Sequence, residues 1–168
     1  LYVYNNNVIS IHPNINNLRE LQVLSLSKNK LSTFPNTFFE LFNLKKLYLD
    51  SNKLGNLPIG ISRLLRLEVL DLSDNSFTEL PQEYKKLKNL KNLYLTNNKL
   101  STFPQVLYDL QNNKTKIKGI KTKELYKIRL LFSKARNKRL IKQYYASILN
   151  YKEILKKDTN NVQAIIEL

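Results

Sequence analysis

The sequence predicts an α/β fold in which short parallel strands stack into a curved sheet with short helical turns on its convex side, followed by an all-α C-terminal segment. Two patterns predict the sheet. Leucines recur every 23 residues at Leu24, Leu47, Leu70 and Leu93, and each Leu-x-Leu pair directs both leucines to one face of a strand. Beyond residue 112 both patterns stop, and apolar residues take helical spacing.

The repeated unit reads L-x-x-L-x-L-x-x-N-x-L-x-x-[LF]-P, and residues 21–35 are one complete copy. Strands this short cannot bury their leucines alone, so neighbouring copies must stack. The unit resembles a leucine-rich repeat over residues 1–112. That resemblance implies a solenoid whose role is binding, usually of a protein on the concave face of its sheet. Leu1 fills a leucine position of the unit, which predicts that the chain begins inside a repeat.

One asparagine per copy stands where the chain turns out of its strand. A side-chain amide both donates and accepts hydrogen bonds, so it suits the backbone groups that a tight buried turn leaves unpaired. The asparagines are therefore expected to form a structural ladder with no binding role. The members of this ladder are Asn6, Asn29, Asn52, Asn75 and Asn98.

Residues 113–168 are predicted to be a basic helical segment that caps the solenoid. At the 23-residue step, Asn113, Lys116 and Lys118 stand where the repeat requires leucine. Apolar residues then recur at helical spacing over 125–135 and 140–155. Residues 144–165 resemble a tetratricopeptide repeat, which implies a pair of packed helices.

The middle residue of each Leu-x-Leu and the residue two positions later are expected to project from the concave face, because the leucines fill the other face. These positions give a row of tyrosines around a small acidic centre, and tyrosine is a favoured interface anchor. The alternative is that the aromatic rings only pack against one another. The predicted protein- or peptide-binding residues are Tyr2, Tyr4, Ser25, Tyr48, Asp50, Asp71, Asp74, Tyr94 and Thr96.

Charge gives the chain a second candidate function. It has 28 Lys and Arg against 13 Asp and Glu, and between residues 114 and 142 twelve basic residues accompany one acid, Glu124. A basic stripe of this kind can bind the phosphates of nucleic acid or an anionic surface. The residues of this alternative basic patch are Lys114, Lys116, Lys118, Lys121, Lys123, Lys127, Arg129, Lys134, Arg136, Lys138, Arg139 and Lys142.

Several classes of function lack the residues they need. The chain has no Cys and one His, which excludes disulfides, thiolate sites and paired-histidine metal sites. Its three glycines form no phosphate-binding or nucleophile motif. We therefore predict no enzyme activity, no catalytic residue, no cofactor and no metal. No apolar run is long enough for a transmembrane segment. The absence of disulfide-bonded caps favours a cytoplasmic or bacterial cell-associated location.

Overall fold

A computed structural model describes residues 1–56, 58–100 and 105–120 of the chain. Within these residues, five three-residue strands form one parallel sheet in sequence order. An isolated bridge between Tyr2 and Ser25 continues the pairing on the N-terminal side. The parallel sheet predicted from the repeat is confirmed. Its strands are β1 Val23–Ser25, β2 Lys46–Tyr48, β3 Val69–Asp71, β4 Asn92–Tyr94 and β5 Lys116–Lys118.

The strands align in a single register, which stacks identical repeat positions. Leu24 pairs with Leu47, Leu47 with Leu70, and Leu70 with Leu93. All four side chains are buried. A second set of leucines, two residues later in each repeat, is buried as well. Leucines therefore fill one face of the sheet completely, which leaves the other face to different chemistry.

A short 3₁₀ helix lies on the return path of each of the first four repeats, at Pro13–Asn17, Asn36–Glu40, Ile59–Arg63 and Gln82–Lys86. Pro35, Pro58 and Pro81 hold extended backbone immediately before three of them. The third residue of each of these three helices, Phe38, Ile61 or Tyr84, is buried against the leucines. The short helical turns predicted for the convex side are thus confirmed, and in these four repeats they are 3₁₀ helices.

The last repeat differs from the prediction. An α-helix, α1 (Gln105–Asn112), replaces the 3₁₀ helix, and Leu93 pairs with Ile117, which lies 24 residues further on. The fixed 23-residue step therefore misplaced the end of the sheet at residue 112. Residues 113–120 are not helical but include β5, and the repeats form one compact unit over Leu1–Ile120. The predicted helices and the tetratricopeptide-like pair beyond residue 120 lie outside the described residues.

Asparagine side chains connect each repeat to the one before it. Asn75 accepts a hydrogen bond from the Leu54 amide at 3.0 Å and donates to the carbonyls of Leu49 at 2.9 Å and Leu72 at 3.2 Å. Asn29, Asn52 and Asn98 make the equivalent bonds in their own repeats. Four of the five predicted ladder residues therefore bridge neighbouring repeats.

Asn6 is the exception among the ladder residues. It is exposed, and within the described residues its side chain donates one hydrogen bond, to the carbonyl of Tyr4 at 2.9 Å. This bond stays within one turn of the chain. Asn6 therefore provides a matched comparison for the asparagines that join two repeats.

We expect Asn75→Ala to lower the free energy of unfolding by about 2 kcal/mol or more, because it leaves a buried N–H group and buried carbonyls unpaired. Asn6→Ala is expected to change it by less than about 0.5 kcal/mol, the usual range for surface substitutions. Urea denaturation followed by circular dichroism measures both. Equal effects of the two substitutions would contradict the ladder.

Gly119 is required for β5 to sit against β4. Its backbone has φ +87°, and a Cβ atom there would collide with the backbone of Thr96. The carbonyl of Lys118, next to it, accepts a hydrogen bond from the amide of Leu95 at 2.9 Å. A side chain at position 119 must therefore push β5 away from the sheet.

We expect Gly119→Ala to weaken β5 docking by at least about 1 kcal/mol, since it adds backbone strain to a steric clash. The direct measurement is amide hydrogen exchange at Leu95, which should become faster. Gly55→Ala is the control, because a Cβ atom at that position meets nothing within 4 Å. Unchanged exchange in the Gly119 variant would show that β5 is not held in this way.

Candidate functional site

The sheet has one face that the repeats do not cover, which we name the open sheet face. It consists of three parallel rows that cross the strands. The first row is Val23, Lys46, Val69, Asn92 and Lys116, the central row is Tyr2, Ser25, Tyr48, Asp71, Tyr94 and Lys118, and the third row is Tyr4, Ser27, Asp50, Ser73 and Thr96. Eight of the nine predicted binding residues lie in the central and third rows, and Asp74 follows the third.

Tyr48, Asp71 and Tyr94 lie side by side in the middle of the central row. The register pairs Tyr48 with Asp71 and Asp71 with Tyr94. All three side chains are partly buried by their neighbours and partly open to solvent. Tyr2, at the N-terminal end of the row, is 67% exposed. The face therefore presents one carboxylate with an aromatic ring on each side of it.

The prediction that Ser25 contacts a ligand is wrong. Ser25 lies in the central row as expected, but it is 6% exposed rather than available for contact. Its hydroxyl group lies 3.4 Å from that of Ser27 in the third row. The physical reason is length, because a serine between Tyr2 and Tyr48 is too short to reach above its neighbours.

Three carboxylates form the acidic part of the face. Asp71 accepts a hydrogen bond from the backbone amide of Ser73 at 3.0 Å. Asp50 accepts one from the hydroxyl group of Ser27, and Asp74 accepts one from the side-chain amide of Asn97 at 2.8 Å. A carboxylate can accept about four hydrogen bonds, so each of the three keeps acceptor capacity for a ligand.

Partial burial raises the pKa of the Asp71 carboxyl group. Desolvation is the largest cause, and the charges of Asp50 and Asp74 add to it, while hydrogen bonds from Ser73 oppose it. A charged Asp71 therefore costs the folded chain some stability. Residues that bind ligands commonly have this property, since they are placed for contact rather than for stability.

The open sheet face ends at β5 with two lysines, and the sequence analysis did not place them there. Lys116 and Lys118 were assigned to a helical basic patch, yet they lie exposed on β5 beside Asn92 and Tyr94. The ammonium group of Lys118 lies 5.1 Å from the centroid of the Tyr94 ring, a cation–π distance. A repeat step of 24 residues, which places Ile117 in a leucine position, is the sequence signal that finds this strand.

The remaining members of the basic patch divide into two groups. Lys114 is exposed in the turn between α1 and β5. The other members, from Lys121 to Lys142, lie outside the described residues. The structure therefore separates Lys116 and Lys118 from the patch, because both belong to the sheet.

Two further searches cover only the part of the chain that the structure describes. No group of three or more His, Cys, Asp or Glu side chains there has the arrangement of a metal site. None of the helices at residues 1–56, 58–100 and 105–120 has the length and apolar character that crossing a membrane requires.

Comparison with known families identifies the repeats. Residues 1–54 match the family described as leucine rich repeat, and residues 65–108 match leucine rich repeats in two copies. Both regions of this chain are therefore leucine-rich repeats. Such repeats commonly serve as protein–protein interaction modules, and domains built from them are typically non-enzymatic.

Solved structures show the same fold. A leucine-rich-repeat protein of Leptospira interrogans is 33% identical with a TM-score of 0.65, over 76% of this chain and 34% of that one. The ectodomain of the receptor kinase SOBIR1 from Arabidopsis thaliana is 31% identical with a TM-score of 0.59, over 70% of this chain and 66% of that one. The leucine-rich repeat domain of APL1B is 25% identical with a TM-score of 0.54, over 58% of this chain and 30% of that one. This chain thus spans about a third of the Leptospira protein. No curated protein matches it significantly.

The raised pKa of Asp71 predicts a pH-dependent effect of Asp71→Asn. Because the folded chain binds this proton more readily than the unfolded chain, the stability from this group falls as pH rises through the interval between the two pKa values. At neutral pH we therefore expect Asp71→Asn to be more stable than the parent chain. The advantage should disappear at a pH below the pKa of an ordinary aspartate.

Thermal unfolding over a range of pH measures this difference in melting temperature. Glu79→Gln is the control, since it removes one exposed carboxylate that lies outside the open sheet face. A destabilised Asp71→Asn variant at neutral pH would show that the charge of Asp71 supports the fold instead.

Proposed function

We propose that this chain binds a protein or peptide on the open sheet face, through Tyr48, Asp50, Asp71 and Tyr94. The observation that carries the proposal is the register of β2, β3 and β4, which sets two tyrosines on either side of a partly buried carboxylate. Tyrosines contribute large contact area at a low entropy cost, and such residues are common at the centres of interfaces.

The composition of the face also supports binding. Leucines occupy the side of the sheet that faces the core, so the tyrosines are not needed to fill it. The interaction role that is common among leucine-rich repeats gives further support. Asp50 and Asp74 extend the acidic area next to Asp71, so the middle of the face favours a partner with a positively charged group.

Binding of nucleic acid or an anionic surface through residues 114–142 is the second candidate. The observation that favours it is the density of positive charge, with twelve basic residues and one acid in that segment. Binding of this kind should weaken steeply as salt concentration rises, because it depends on neutralising phosphates. The two candidates thus differ in which residues and which conditions they depend on.

The proposal is tested by recovering partners from lysate of the source cells, with and without nuclease. We expect recovery to persist after nuclease and to be lost in a variant with Tyr48→Ala, Asp71→Ala and Tyr94→Ala. The matched control changes Phe42, Ile59 and Leu65 to alanine, which removes three exposed apolar side chains that lie outside the open sheet face. Circular dichroism checks that both variants fold.

The opposite result is also informative. Recovery that is lost on nuclease treatment and unaffected by the triple variant would overturn binding on the open sheet face. It would make nucleic acid binding through residues 114–142 the leading function.

A further inference from the structure

The first four repeats make the same turn between the 3₁₀ helix and the strand that follows it. We name these turns, at residues 19–20, 42–43, 65–66 and 88–89, the return turns. In the last three of them, the amide of the first turn residue donates to a carbonyl two residues earlier, at 2.8 or 2.9 Å. The first residues of the four turns therefore form a row across the repeats, which consists of Arg19, Phe42, Leu65 and Lys88.

Side chains tie neighbouring return turns together. Asn43 donates to the carbonyl of Arg19 at 2.9 Å, and Arg66 donates to the side-chain oxygen of Asn43. Asn89 donates to the carbonyl of Leu65 at 2.8 Å. Each of these bonds joins one repeat to the next, so the four turns lie side by side.

Two large apolar side chains are exposed in the middle of this row. Phe42 is 52% exposed and Leu65 is 55% exposed. The residues before them, Leu41 and Leu64, are fully buried and supply the core contact of each repeat. An isolated apolar residue on a surface is ordinary, but two large ones in adjacent turns form a patch that the fold does not require.

Positive charge surrounds this patch. The guanidinium carbon of Arg63 lies 5.7 Å from the centroid of the Phe42 ring, and Arg66 follows Leu65 in the same turn. The return turns and the two residues before each of them carry five bases against two acids, which are Arg19, Arg63, Arg66, Lys86 and Lys88 against Glu20 and Glu40. The patch is therefore apolar at its centre and mainly basic at its rim.

An anionic bilayer is the surface that fits both properties. At the boundary between headgroups and acyl chains, phenylalanine and leucine lose contact with water while arginine and lysine meet anionic headgroups. A bilayer needs no matching pocket for side chains that are exposed on turns, whereas a protein partner does. Nucleic acid would use the charges but gain little from an exposed leucine. The net charge of +15 also attracts the chain to an anionic membrane.

We propose that the return turns of the second and third repeats attach the chain to an anionic lipid bilayer. Phe42 and Leu65 enter the interface, and Arg63 and Arg66 beside them pair with the headgroups. None of these residues belongs to the open sheet face, so attachment does not use the residues of the proposed binding site. The inference is independent of the proposed function, since it concerns different residues and a different kind of ligand.

A single tryptophan tests the contact directly, because the chain contains none. Phe42→Trp is mixed with vesicles of phosphatidylserine and phosphatidylcholine in equal parts. We expect its emission to move several nanometres to shorter wavelength and to be quenched by lipids brominated on their acyl chains. Tyr2→Trp is the control, since Tyr2 is 67% exposed on the open sheet face, and its emission should stay unchanged.

Two results of this experiment would overturn the inference. One is an unchanged emission of Phe42→Trp on vesicles, and the other is an equal shift in the two variants. Attachment through residues 114–142 alone gives the first of these results, because the chain would sediment with the vesicles while position 42 stayed in water.

A pair of alanine variants tests the apolar part of the contact by vesicle sedimentation. Phe42→Ala with Leu65→Ala should bind at least about tenfold more weakly than the parent chain, because less apolar area leaves water. Tyr2→Ala with Ile9→Ala is the matched control, since these side chains are 67% and 68% exposed and lie outside the return turns. Equal loss in both variants would contradict a specific patch.

A second pair of variants tests the basic rim. Arg63→Gln with Arg66→Gln should weaken vesicle binding more than Lys30→Gln with Lys53→Gln, which removes the same charge from exposed positions outside the return turns. Equal weakening would show that net charge alone draws the chain to the vesicle, and the inference would be wrong.

Failure of this inference is distinguishable from failure of the proposed function. The variant with alanine at Phe42, Ile59 and Leu65 should lose vesicle binding and still recover a partner from lysate. The variant with alanine at Tyr48, Asp71 and Tyr94 should do the reverse. Each experiment therefore decides one proposal whatever the result of the other.

Discussion

Hydrogen bonds between one asparagine of each repeat and the backbone of the repeat before it are the constraint on which the rest of the structure depends. Each strand has three residues, and each turn that follows it leaves backbone groups pointing inward. The side-chain amide of Asn75 accepts a hydrogen bond from the Leu54 N–H and donates one to the Leu49 carbonyl, and both partners belong to the preceding repeat. Without such an amide, burying the leucines would also bury unpaired backbone N–H and C=O groups. The free-energy cost of those unpaired groups would exceed the gain from burying the leucines.

The same turn also imposes a backbone conformation that sequence patterns do not reveal. The residue before each ladder asparagine has positive φ, and in the second and third repeats this residue is Lys28 (φ +53°) or Ser51 (φ +56°). Such a conformation disfavours side chains other than glycine, asparagine and aspartate. The amides of these residues nonetheless donate to the next repeat, Lys28 to Asp50 and Ser51 to Ser73, both at 2.9 Å. Hydrogen bonding between repeats thus outweighs the preference of lysine and serine for negative φ.

Most of the fold could be predicted from the sequence, because a periodic pattern specifies each repeat independently. The 23-residue step predicted the register of β1 to β4, and short helical turns were predicted where the 3₁₀ helices lie. It missed β5, since α1 adds one residue and moves Ile117 out of the expected position. The site was predicted less completely. Which residues lie on the open sheet face follows from alternation, but the burial of Ser25 depends on the lengths of its neighbours, and Lys118 required β5.

The uniform register has a consequence for how this surface can change over time. Because β1 to β4 repeat the same pairing every 23 residues, insertion or removal of one complete unit would leave every remaining leucine and asparagine contact equivalent. Such an event between β3 and β5 would shift the distance between Asp71 and the basic strand β5 by one strand spacing, about 4.8 Å. Recombination within the gene could therefore alter ligand spacing in fixed increments without a new core having to evolve.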